Sequence, residues 1–159
     1  MARVYNFSAG PSMLPVEVLE KAIANDPTFA NYYFILGYVK EGLGLKDEAI
    51  VQYDKAIELN PDYVEAIFGK ALNLYNRAVE ADNKASEIQD NKLYQAERAK
   101  VDKMVLEAIP YFERVLELKP DDDQNLRTLK GIYYRFSSKD KEFERKFNEM
   151  EQRLKELGY

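Results

Sequence analysis

The chain has 159 residues, 46% of them hydrophobic, and its 23 Lys+Arg against 28 Asp+Glu give a formal charge of −5. That length suits one domain and that apolar share can build a core. Cys, His and Trp are absent, which excludes disulfides, Cys/His zinc sites and catalysis by Cys or His; an acidic balance without basic blocks argues against nucleic acid, and no apolar run approaches the ~20 residues that span a bilayer.

The first segment, MARVYNFSAG, has one early Arg and no apolar stretch. It does not read as a signal peptide, so the expected location is cytoplasmic, with an export signal left open for a natural version with a different leader. Residues 1–12 carry no periodic pattern. Pro15 suits a first helical turn, and Val18, Leu19, Ala22 and Ile23 then form an apolar face that stops at Asp26-Pro27. A helix is expected over 15–25. The run NFSAGPSMLPVEVLEKA, residues 6–22, resembles the beginning of phosphoserine aminotransferase, a pyridoxal-phosphate enzyme. That family implies a far longer chain with a large α/β domain and a Schiff-base lysine, and nothing after residue 25 resembles it. Residues 1–25 therefore read as a leader, native or fused, whose helix caps the rest. The enzyme itself is the remote alternative, without activity here.

Prolines then set a period. Pro27 and Pro61 are 34 residues apart, and Pro120 follows Pro61 by 59, one period plus 25. The preceding segments are alike: KAIANDP, KAIELNP and RVLELKP. In the first repeat the pattern reads Tyr33, Leu36-Gly37, Gly44, Ala49, Tyr53, Ala56 and Pro61. This resembles the tetratricopeptide repeat, whose paired helices are expected over 29–43 and 46–59. Small residues at Gly37, Ala49 and Ala56 let helices cross closely while large ones fill the gaps. Lys40 stands where the family has an aromatic, a place that Tyr38 is expected to fill in part.

The second repeat keeps Ile67, Ala71, Ala108, Phe112, Val115 and Pro120, but an insertion over residues 78–102 separates its halves. Twenty-five residues are roughly seven helical turns, so each helix can lengthen without rotating its buried face. Leu74, Ala78, Ala81, Ala85 and Ile88 make one apolar stripe; Tyr94, Val101, Val105, Ala108 and Phe112 make the returning one. Helices are expected over 62–89 and 91–118, with a tip near Gln89-Asp90-Asn91 and a kink at Pro110, which leaves the Leu106 carbonyl without its amide. The mixed charges Glu80, Lys84, Glu87 and Arg98 read as a solvated face.

The third repeat is degenerate. Leu126, Leu129 and Tyr133 face one way over 122–136, and Phe143, Phe147, Met150, Leu154 and Leu157 form a stripe over 140–157 ended by Gly158. Asp121, Asp122 and Asp123 suit helix capping better than metal binding, since neither a loop glycine nor a distal Glu of a calcium site accompanies them.

The expectation is an all-α, antiparallel, right-handed superhelical stack of seven helices. Its leader is 1–25 and its repeat domain 26–159, with repeats at about 30–61, 64–120 and 123–157. The resemblance implies a non-enzymatic module that binds a peptide or partner protein in a concave groove lined by each repeat's first helix. Family geometry assigns that wall Phe34, Tyr38, Phe68, Leu72, Tyr75, Arg127, Tyr134 and Arg135, with Asn31, Glu41, Glu65, Asn76 and Gln124 beside them. The two arginines are expected to meet an acidic group of the partner. The competing reading makes the same aromatics ordinary packing, or a surface for self-association into a homo-oligomer. Phe34 or Phe68 would then be covered by the leader or the long hairpin. The Lys and Asn clamp for a terminal carboxylate, known in this family, is excluded by Phe34 and Tyr38. The glycines 37, 42 and 44 lack the Gly-Lys-Ser/Thr ending of a phosphate loop. No catalytic residue, cofactor or metal is expected.

Overall fold

The computed structural model describes residues 16–159, and over them the chain is a row of seven helices: α1 Val16–Asn25, α2 Ala30–Gly42, α3 Lys46–Leu59, α4 Val64–Ser86, α5 Asn91–Leu118, α6 Asp123–Ser137 and α7 Lys141–Glu156. The leader residues 1–15 lie outside the described residues, so of the aminotransferase-like segment only residues 16–22 are described, within α1. Three antiparallel hairpins, α2–α3, α4–α5 and α6–α7, stack side by side, and α1 packs on α2. There is no strand among the described residues. The architecture is the expected stack of helical hairpins.

Local chemistry punctuates the row. Asp26 accepts from the Thr28 amide at 3.1 Å and the Thr28 hydroxyl at 2.7 Å, and Asn60 accepts from the Asp62 amide at 3.2 Å. The two Asx-Pro turns are thus built alike, which is the physical content of the 34-residue period. Gly44 takes φ 79° between α2 and α3, and Gly158 takes φ 88° after α7, conformations that side chains resist. Asp90, Asp122 and Asp140 each cap a helix, accepting from the amides of Leu93, Asn125 and Glu142. Asp122 therefore caps α6, while Asp123 turns to Arg127. Helix α5 runs unbroken through Pro110. Pro110 and Leu106 both lie on its exposed side, so the carbonyl that the proline cannot satisfy is on the solvent face of the helix.

Packing follows the small-and-large pattern. Tyr53 is 1% exposed and lies between two glycines. A methyl group added at Gly37 would sit 2.8 Å from its ring, and one at Gly69 would sit 2.9 Å away. Its hydroxyl donates to Glu41 at 2.8 Å. Burial, then the Glu41 carboxylate, push its pKa upward, so the phenol stays a donor. The main core joins α4, α5, α6 and α7 through Ala71, Phe112, Leu126, Leu129, Ile132 and their neighbours. A smaller one holds Tyr33, Ala56 and Ala66 with Ile23 of α1, which is how the N-terminal helix caps the stack.

One expectation is corrected. Tyr38 does not stand in for the missing aromatic at Lys40, because it is 65% exposed. Lys40 fills its own place, its stem largely covered and its ammonium 2.7 Å from Glu48; a long aliphatic stem can cover apolar surface as a ring does. The two glycines beside Tyr53 give the first prediction. Gly37→Ala and Gly69→Ala each crowd a fully buried ring and are expected to cost about 1–3 kcal/mol by urea denaturation, whereas Gly42→Ala, which meets open space, leaves the midpoint unchanged or raises it.

Candidate binding surface

Each first helix carries its candidate residues at helical spacing: Phe34 and Tyr38 on α2, Phe68, Leu72 and Tyr75 on α4, Arg127 and Tyr134 on α6. They differ sharply in exposure. Tyr38 at 65% and Tyr134 at 68% stand in solvent. Phe34, Phe68, Leu72 and Tyr75 are half-buried. Phe34 packs 6.2 Å from Tyr53 and 5.3 Å from Tyr63. Phe68 and Tyr75 both meet Phe112 edge-on, at 6.0 and 6.1 Å. The covering partners of Phe34 and Phe68 are thus rings of the second helices and of the following turn, and each aromatic keeps a minor part of its surface exposed. Tyr134 also meets a ring, 5.5 Å from Phe147, but remains largely in solvent. Around them, Asn31 accepts from the Tyr63 hydroxyl at 2.5 Å.

The two arginines do not wait for an acidic partner. Arg135 is held by Asp102 at 2.9 Å and Asp82 at 2.8 Å. Asp82 also takes Arg98 at 2.6 Å and Asp102 takes Lys139 at 3.0 Å. Arg135, expected to meet an acidic group of a partner, thus has its guanidinium taken within the chain, and Arg98 is partly covered beside it. Glu80 is exposed, as a solvated face requires, and pairs with Lys46 across the surface. Lys84 and Glu87 are exposed as expected. Arg127 pairs with Asp123 at 3.3 Å and lies 4.4 Å from the Tyr159 ring centre. With its charge matched and its face stacked, it presents a half-covered guanidinium.

Sequence reasoning missed Asp82, Asp102 and Lys139. A signal for one pair was present. With the tip at Asp90, residues eight before and eight after it lie opposite one another, which sets Asp82 against Arg98. The contacts of Arg135 span 33 and 53 residues and have no local signature. A separate cleft of about 410 Å³ lies between α5 and α7. Its central carboxylate, Glu113, is taken by the Tyr133 hydroxyl at 2.8 Å and the Lys146 ammonium at 2.6 Å, so the polar groups there serve each other.

The network carries a pH dependence. The Arg135 guanidinium, against partial burial, holds the Asp82 carboxyl below its usual 3.8. Burial pushes Asp102 upward, but hydrogen bonds from Lys139 and Arg135 outweigh it and hold that group low too. A depressed carboxyl pKa stabilises the fold above the unfolded value, and that stabilisation is lost as pH falls through the folded value. In thermal melts, wild type is expected to exceed the Asp82→Asn/Asp102→Asn double variant at pH 6, and the gap to close near pH ~2.

No curated protein sequence matches the chain. The family model described as Tetratricopeptide repeat matches residues 30–63. Among solved structures, one described as MamA is 22% identical with a TM-score of 0.59, covering 91% of this chain and 70% of that one. A second MamA structure is 21% identical with a TM-score of 0.54, covering 88% and 58%. A third, described as YrrB, a TPR protein with an unusual peptide-binding site, is 18% identical over 87% and 75% with a TM-score of 0.37, too low to argue from. Residues 30–63 thus match the tetratricopeptide repeat, and the chain around them carries that repeat's fold, a stack of antiparallel helical hairpins.

Proposed function

We propose that residues 26–159 form a non-enzymatic interaction module that holds a peptide or a segment of a partner protein against α2, α4 and α6. The observation that carries this reading is the pair of tyrosines, Tyr38 and Tyr134, left about two-thirds exposed at 65% and 68% on first helices. A monomer gains by burying such rings, and aromatics on a firm backbone are the usual carriers of interface energy. Half-buried Phe34, Phe68, Leu72 and Tyr75 supply the apolar floor between them. Arg127 offers a stacking plane, and Arg135 acts by positioning α6 rather than by touching the partner. Because the arginine charges are matched internally, the partner segment is one that presents apolar side chains rather than an acidic terminus. The repeat profile at residues 30–63 supports a protein partner, since that repeat is typically an interaction scaffold.

The test separates contact residues from packing residues. Tyr38→Ala and Tyr134→Ala are expected to leave far-ultraviolet circular dichroism unchanged and to weaken capture from native lysate, quantified by mass spectrometry, by about 2 kcal/mol each or more. Phe68→Ala and Tyr75→Ala lose their edge contacts with buried Phe112 and are expected to lower stability by about 0.5–1.5 kcal/mol beyond the area lost. Capture that is indifferent to Tyr38 and Tyr134 defeats the proposal. Light scattering over a concentration series identifies the case in which the partner is a second copy: association then falls in the same two variants.

A further inference from the structure

We propose that the inserted stretch 78–102 is a brace, tying the first and third hairpins to the second and thereby fixing the curvature of the stack. In this repeat architecture each hairpin touches only its neighbours, so small hinge motions add along the row. Among the described residues the first and third hairpins share no backbone contact, and both depend on α4 and α5 for their relative setting. The insertion supplies the carboxylates that tie the third hairpin and extends, with Glu80, the contacts that α4 already makes to the first. Four of the charged groups involved, Glu80, Asp82, Arg98 and Asp102, lie inside it.

Toward the first hairpin, Glu80 takes Lys46 at the start of α3. Nearly one turn earlier on α4, Arg77 reaches Asp47 at 2.8 Å. One turn earlier again, fully buried Asn73 donates to the Lys46 carbonyl at 3.3 Å. Asn73, Arg77 and Glu80 follow i, i+4, i+7 and so share a face. Toward the third hairpin, Asp82 and Asp102 share Arg135, and Lys139 joins Asp102. Arg98 lies across from Asp82 within the hairpin itself, holding that carboxylate in place for Arg135. Lone surface ion pairs hold little. Here one guanidinium is gripped by two carboxylates that are themselves only 23% and 20% exposed, and the lengthened helices are stiff enough to transmit the restraint. The brace belongs to the free protein and does not rest on what the groove binds.

The experiment is hydrogen exchange read by mass spectrometry, with small-angle scattering on the same samples, for wild type and D82N/D102N in dilute salt. Asparagine keeps the volume and removes the charge. Exchange in α6 and α7 is expected to quicken on the order of tenfold, with that in α2 and α3 unchanged, and the scattering envelope to broaden. The mirror variant K46Q/R77Q is expected to quicken α2 and α3 instead. Salt of about 1 M moves wild type toward both variants. Unchanged exchange and scattering in D82N/D102N overturns the brace, and so does an equal rise in every helix, which would make these groups contributors to global stability alone. Should D82N/D102N fail to fold, R135Q removes the shared cation and is judged by the same two readouts.

Discussion

The stack depends on how closely its helices approach, and one ring sets that distance. Tyr53 fills the space that Gly37 and Gly69 leave open, so α2, α3 and α4 close around a side chain that any larger neighbour would displace. The same slot recurs ten residues after each proline: Gly37 after Pro27, Ala71 after Pro61, Lys130 after Pro120. Its large partner is Tyr53, then Phe112, then Phe147. The first two are fully buried; Phe147 is only half-covered, with the Lys130 ammonium 5.7 Å from its ring centre. The series runs from a tight lock to a loose one within a single chain.

The period, the caps and the buried faces were legible because each follows from local chemistry. An Asx-Pro turn, a glycine with positive φ and a stripe at helical spacing need no knowledge of the rest of the fold. Asp90 at the hairpin tip and Gly158 after α7 were found for that reason. The long-range charge pairs were not. Arg135 sits where the repeat geometry puts a groove residue, yet its partners are Asp82 and Asp102, whose nearness is set by tertiary packing; Arg127 finds Asp123 one turn away but Tyr159 only across the fold. Tyr38 failed differently. Near Lys40 in sequence, it lies on another side of the helix, and composition cannot say that a lysine stem will fill an aromatic's place.

The insertion and the groove are two halves of one arrangement. Adding whole turns to α4 and α5 keeps Ala71, Ala78, Val105 and Phe112 on their buried faces, so the second hairpin can lengthen while its neighbours keep the ordinary size. The extra length has polar flanks as well as an apolar seam. Those flanks pair with charges of the adjacent turns, Lys46 on one side and Arg135 and Lys139 on the other. On the first helices Tyr38 and Tyr134 stay exposed.

Lys130 has a consequence for how the third hairpin closes. Where the first two hairpins offer a glycine or an alanine to the facing ring, this one offers an ammonium 3.3 Å from Glu151. Bringing α6 and α7 together as tightly as a glycine allows would strip water from that charge, a cost the smaller residues do not carry. One side chain thus leaves the third hairpin hydrated along a seam that is dry in the first.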